Sequence, residues 1–126
     1  MGCRSTERRK MNRNHSSSSD PNGWWVPYTD VYTSEDGRLV IEVELAAVNK
    51  QDLELTIETN RLSIRGERSD DGRRRRCKYL IQELRYGPFQ SVFEIPSGYD
   101  LARGRTTYQN GIFRIELPLK TDGSPS

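Results

Sequence analysis

Arg38-Leu39-Val40-Ile41-Glu42-Val43-Glu44-Leu45 places Leu39, Ile41, Val43 and Leu45 on one parity and Arg38, Glu42 and Glu44 on the other. Successive side chains of a strand point to opposite faces, so this spacing predicts a half-buried β-strand. The same period continues outward in both directions. Leu53, Leu55 and Ile57 alternate with Glu54, Thr56 and Glu58, and Leu62 and Ile64 with Ser63 and Arg65. Phe113, Ile115 and Leu117 alternate with Ile112, Arg114 and Glu116, while Phe89, Phe93 and Ile95 share a face with Ser91. A weaker first strand is expected around Asp30 to Thr33.

Turn chemistry falls between these runs. Asp36-Gly37 and Asn110-Gly111 are hairpin dipeptides that tolerate positive φ, and Thr59-Asn60-Arg61 joins two strands closely enough for another hairpin. Short strands at this spacing, with no long helix between them, predict an all-β, immunoglobulin-like antiparallel β-sandwich. One stretch breaks the rhythm. Glu67 to Gly87 (ERSDDGRRRRCKYLIQELRYG) is too long for a hairpin loop and too charged for a core. Long loops inside compact domains usually serve a purpose. The short apolar run Tyr79-Leu80-Ile81 within it suits a strand that adds to another chain's open edge.

The chain has 126 residues, 33% hydrophobic and 30% charged, enough for one domain and a tail. Residues 1–23 lack hydrophobic periodicity, carry a net charge of +3 and contain the run Ser16 to Ser19; they are expected to be a disordered basic arm. Residues 24–120 are expected to fold, with the loop 67–87 as an arm, and 121–126 to be a short disordered tail. The body carries fifteen charges of each sign, so it is not an electrostatic nucleic-acid binder by default. Arg73 to Arg76 form its one strong charge run. Without interleaved aromatics they read as solvated charges near Glu67, Asp70, Asp71 and Glu83, with RNA or phosphate binding the less favoured reading.

Chemistry is scarce. Two cysteines, Cys3 and Cys77, make no disulfide framework, and the single His15 sits in the polar arm, so neither metal, cofactor nor catalysis is expected. No phosphate loop, dinucleotide fingerprint or nucleophile with a structured histidine is present. No run approaches the ~20 apolar residues of a membrane span, and none follows the basic start as a secretory signal would. Met1-Gly2-Cys3-Arg4-Ser5-Thr6 matches an acylation pattern, but no membrane association is expected. An exposed cytosolic thiol is the ordinary reading of Cys77.

Taken in order, the elements resemble the small heat-shock proteins, specifically their alpha-crystallin domain, over roughly residues 26–120. The resemblance begins at Pro27-Tyr28-Thr29-Asp30-Val31-Tyr32 (family P-x-x-D-V-x-E) and continues through Lys50-Gln51-Asp52-Leu53 and Leu62-Ser63-Ile64-Arg65-Gly66-Glu67-Arg68 (L-x-I-x-G-E-R). It runs on through Glu83-Leu84-Arg85-Tyr86-Gly87-Pro88-Phe89 and Phe93-Glu94-Ile95-Pro96 to Asn110-Gly111-Ile112-Phe113 (N-G-V-L) and Leu117-Pro118. The strand-bearing loop is similar to the bacterial and plant type.

That resemblance implies an ATP-independent, cytoplasmic holdase, with unfolding client proteins as partners. It implies a homodimer in which Tyr79, Leu80 and Ile81 pair with the partner's edge at Asp30, Val31 and Tyr32. Leu53, Leu55, Ile57 and Tyr108 would border a peptide-accepting groove, although inward parity alone also explains the three aliphatics as core. Trp24, Trp25 and Tyr28 are further candidate client contacts, since adjacent tryptophans on an extended chain point in opposite directions and one is hard to bury. The alternative is a CS-type β-sandwich interaction module, which lacks the strand-bearing loop and the N-G-x-F hairpin.

Several positions depart from the family pattern. Ala46-Ala47-Val48 stands where the family has P-G-V, Ser91 where it has an arginine at the dimer side, and Thr106 and Phe113 where it has alanine and leucine. No I-x-I motif occurs in Thr121 to Ser126, so a dimer or small assembly of dimers is expected.

Overall fold

The computed structural model describes residues 23–70 and 77–121. The expectations for the N-terminal arm, for Arg73 to Arg76 and for the last five residues lie outside this range. Seven strands form: β1 (Thr29–Thr33), β2 (Leu39–Glu44), β3 (Leu53–Glu58), β4 (Arg61–Arg68), β5 (Gly87–Glu94), β6 (Arg105–Gln109) and β7 (Ile112–Leu117). They build two antiparallel sheets, ordered β1-β2-β7-β6 and β3-β4-β5. Single 3₁₀ turns, Lys50–Asp52 and Leu101–Arg103, precede β3 and β6.

The period-two pattern becomes the core. Leu39, Ile41, Val43 and Leu45 are buried together with Phe113, Ile115 and Leu117, and Ile41 pairs with Ile115 and Val43 with Phe113 across the β2–β7 ladder. The second sheet contributes Leu62, Ile64, Phe89 and Phe93, with Leu62 opposite Phe93. Gly66, opposite Phe89, must be glycine: a Cβ there would lie 2.7 Å from the Phe89 ring and 2.6 Å from the Asp52 carbonyl. Ser91 takes its turn inward between the two phenylalanines, and its buried hydroxyl finds no hydrogen-bond partner. The site expected to face a dimer interface is therefore a core position.

The expected hairpins form where the turn residues stand. Asn110 and Gly111 both adopt positive φ between β6 and β7, and Gly37 does so between β1 and β2. At the latter turn the Ser34 hydroxyl donates to the Asp36 carboxylate, which holds that carboxyl below its usual range. Thr59 takes φ +57° in the two-residue turn between β3 and β4. Ala47 is also left-handed, at φ +66°, where the family pattern has glycine.

Val40 is fully buried although it lies on the outer face of its sheet, between Tyr32 and Glu116 in the register. Around it runs a hydrogen-bonded lattice of charge. Arg114 Nη1 donates to Glu42 Oε2 (2.7 Å) and Arg114 Nε to Glu116 Oε2 (2.8 Å). The Tyr32 hydroxyl donates to Glu42 Oε2 (2.9 Å), and Arg38 lies 3.7 Å from Glu116. The bond to Glu116 is the main reason the Arg114 guanidinium holds its proton more firmly than usual.

Candidate functional site

Each sheet ends in open edges, and the connections decide which edges share a side. Trp25 makes a parallel bridge to Phe89 on β5, and four residues later the chain enters β1, so β5 and β1 lie on one side. The strand orders then place β3 and β6 together on the other. Tyr108 of β6 ties that second side to the β2–β3 connection: its hydroxyl donates to the Leu45 carbonyl and lies 2.7 Å from that of Val48.

On the β3–β6 side the structure separates the expected groove residues. Leu53 is half-buried and packs on the core, as does Tyr108, whose ring meets Phe113 edge-on at 6.4 Å. Leu55 and Ile57 are 38% and 45% exposed, because among the described residues β3 is an edge strand with no strand beyond it. Core packing therefore accounts for Leu53 but not for its two neighbours. Glu54 and Glu58 are exposed on the same strand. Their cross-strand partners face elsewhere, since Arg61 bonds Glu94 at 2.8 Å and Arg65 sits 5.2 Å from the centre of the Trp24 ring.

On the β1–β5 side, Asp30 is exposed at the open edge, Val31 packs on the core, and Tyr32 belongs to the outer lattice. The short strand expected at Tyr79, Leu80 and Ile81 does not form among the described residues, where the backbone bends at Leu80. Leu80 is 93% and Ile81 77% exposed, and Leu84 is exposed as well. Leu80 and Ile81 thus present apolar side chains to water in the single chain.

The tryptophans divide as adjacent strand residues must. Tyr28 is 86% exposed and Trp24 half-buried. Trp25 is a correction: only 6% of it is exposed, its ring packs on Phe89 at 5.2 Å, and its Nε1–H donates to the Gly87 carbonyl at 3.0 Å. A side chain so enclosed is part of the core and offers no contact surface where it sits.

Arg68 was not singled out by the sequence reading. It shares parity with Leu62, Ile64 and Gly66 and so points inward, a signal that the strand pattern carries. Its guanidinium lies 4.6 Å from the centre of the Trp25 ring, donates from Nη1 to the Arg85 carbonyl (3.2 Å), and approaches Glu44 only to 3.6 Å. Among the described residues no group of three or more His, Cys, Asp or Glu side chains is placed to hold a metal ion, and no helix is long and apolar enough to cross a membrane.

This sandwich, with its long β4–β5 connection and its Asn110-Gly111 hairpin, has known counterparts. The model of the Hsp20/alpha crystallin family matches residues 31–126, and the chain belongs to that family, a class of non-enzymatic chaperones. It is 29% identical over 109 residues to small heat shock protein C2 of Rickettsia felis, covering 86% of this chain and 69% of the relative. Small heat shock protein C4 of the same organism is 30% identical over 94 residues, which cover 75% of this chain and 57% of that protein. Among solved structures, a small heat-shock protein from Xylella fastidiosa superimposes with a TM-score of 0.69 at 26% identity, over 81% of this chain and 93% of that one.

Proposed function

We propose that the protein is an ATP-independent holdase that captures exposed apolar segments of unfolding proteins and limits their aggregation. The observation that carries this reading is the apolar rim of β3, where Leu55 and Ile57 stand exposed on an open strand edge. An extended segment laid there gains main-chain hydrogen bonds and removes apolar surface from water, without any chemical step. Trp24 and Tyr28 extend the contact surface on the opposite side. The reading needs no cofactor and no catalytic group, and places the protein in the cytoplasm without nucleic-acid or membrane partners.

The working unit in this proposal is a homodimer, or a small assembly of dimers, of the domain 24–120. Its arm, residues 67–87, lays Tyr79-Leu80-Ile81 along the partner's β1 at Asp30 to Tyr32. Light scattering of a heat-labile client, with and without near-stoichiometric protein and with no nucleotide, tests the function. Suppressed scattering is expected. Unchanged scattering across temperatures would overturn the reading and leave a β-sandwich interaction module in its place.

A further inference from the structure

Trp24-Trp25-Val26 is a strand in miniature. Trp25 donates its N–H to the Pro88 carbonyl (3.2 Å) and its carbonyl accepts from the Gln90 N–H (3.1 Å). Its ring enters a receptacle with three walls: the Phe89 ring, the Arg68 guanidinium and the Gly87 carbonyl. Nothing in this receptacle requires the ring to come from the same chain. Any extended segment offers the main-chain groups, any aromatic ring suits the apolar and cationic walls, and the Gly87 carbonyl adds a preference for indole. Arg68 is more than nine-tenths buried, and its Nε and Nη2 find no hydrogen-bond acceptor. The face of an aromatic ring is thus a main source of compensation for this cation.

The edge continues past the segment that covers it. Pro88 and Gln90 show that the even-numbered residues of β5 turn their N–H and C=O groups away from β4. Val92 is next in that row, and its main chain has no partner there among the described residues. The covering segment leaves through Pro27 toward β1, so it pairs at a single bridge along an eight-residue strand.

We propose that the free edge of β5 is a second strand-addition site, taking an extended, aromatic-bearing segment of an unfolding protein when Trp24–Val26 lifts away. The inference rests on the client-holdase reading but uses the side of the sandwich opposite the β3–β6 rim. The exchange replaces like with like: one buried ring and two main-chain bonds leave, the same set arrives, and a longer segment adds bonds at Val92. The step that limits it is local opening of a short terminal segment, which heat favours.

The test uses the full chain and a fluorescent ten-residue Thr/Val peptide with one central tryptophan, beside the same peptide with serine in its place. Removing the internal competitor with Trp25→Ala should tighten binding of the tryptophan peptide about tenfold or more, since apparent affinity scales with the fraction of open sites. The serine peptide should gain nothing. On binding, amide exchange should slow at Gln90 and Val92. Val92→Pro, which removes an edge-facing N–H outside the β4 ladder, should weaken the complex severalfold. Should Trp25→Ala fail to fold, the wild-type protein warmed in steps should show the same protection growing with temperature. Equal affinity of wild type and Trp25→Ala, or protection confined to Leu53–Glu58, would overturn the site while leaving the holdase reading intact. Peptide protection at Val92 with unchanged client scattering would instead retain the site and remove the holdase reading.

Discussion

The guanidinium of Arg68 lies over the Trp25 ring at 4.6 Å while its Nη1 holds the Arg85 carbonyl at 3.2 Å. One side chain at the end of β4 therefore touches both the segment that covers β5 and the closing end of the arm. Its carboxylate neighbour, Glu44, is 3.6 Å away and nearly half exposed, so compensation for the buried cation is incomplete. A long apolar side chain should fill the same space without that deficit. Arg68→Met is expected to change unfolding free energy by no more than about 1 kcal/mol, whereas Arg68→Ala, which leaves a cavity under Trp25, should cost about 2 kcal/mol. Denaturant unfolding of the two variants checks this. A loss with Met as large as with Ala would show that the charge itself is required.

Ala47 holds φ +66° in the connection after β2, a conformation that costs an L-residue about 1–2 kcal/mol. Glycine removes the steric cost but adds freedom to the unfolded chain. Ala47→Gly should therefore stabilise the fold by a net ~1 kcal/mol, raising the thermal midpoint by a few degrees. A lower midpoint would mean that the methyl group packs usefully in the folded state.

Ser91 buries a hydroxyl with no partner between Phe89 and Phe93. Ser91→Ala removes the desolvated group and little volume, so a gain of about 1 kcal/mol is expected in denaturant unfolding. No change would indicate that the hydroxyl is satisfied by water.

Ile57 is on the exposed rim of an edge strand, so Ile57→Lys should leave stability within about 0.5 kcal/mol of wild type. Client protection in the scattering assay should fall severalfold. Intact protection would remove β3 from the mechanism.

Leu80 and Ile81 stand almost wholly in solvent in the single chain. Leu80→Asp with Ile81→Asp should raise the dimer dissociation constant at least tenfold without moving the unfolding transition of the isolated chain. Sedimentation velocity across a dilution series reads both species. An unchanged constant would rule out exchange of the arm.

The sandwich was legible because its signals are local. Alternation in Leu39 to Leu45 and dipeptides such as Asn110-Gly111 fix strands and turns within a few residues. What escaped depends on placement at long range. Leu53, Leu55 and Ile57 have equal parity, but only the assembled sheets reveal that β3 is an edge and leaves two of them exposed. Trp25 is buried by residues more than sixty positions away, through Gly87 and Phe89, and no pattern near it announces that contact. Arg68 was readable from parity, yet its charge argued for the surface. Ser91 was read through the family pattern and not through its own inward parity.

The charge lattice of Tyr32, Glu42, Arg114, Glu116 and Arg38 has a meaning for the protein's own solubility. Fibrils grow when sheets stack through dry, interlocking side chains, and a molecule that collects loose strands is continually offered partners for such stacking. This face refuses them, because closing a dry seam over it would strip water from two charge-bearing cross-strand rows at once. An edge that takes up a strand as proposed would therefore sit beside a broad wall that repels the stacking of sheets.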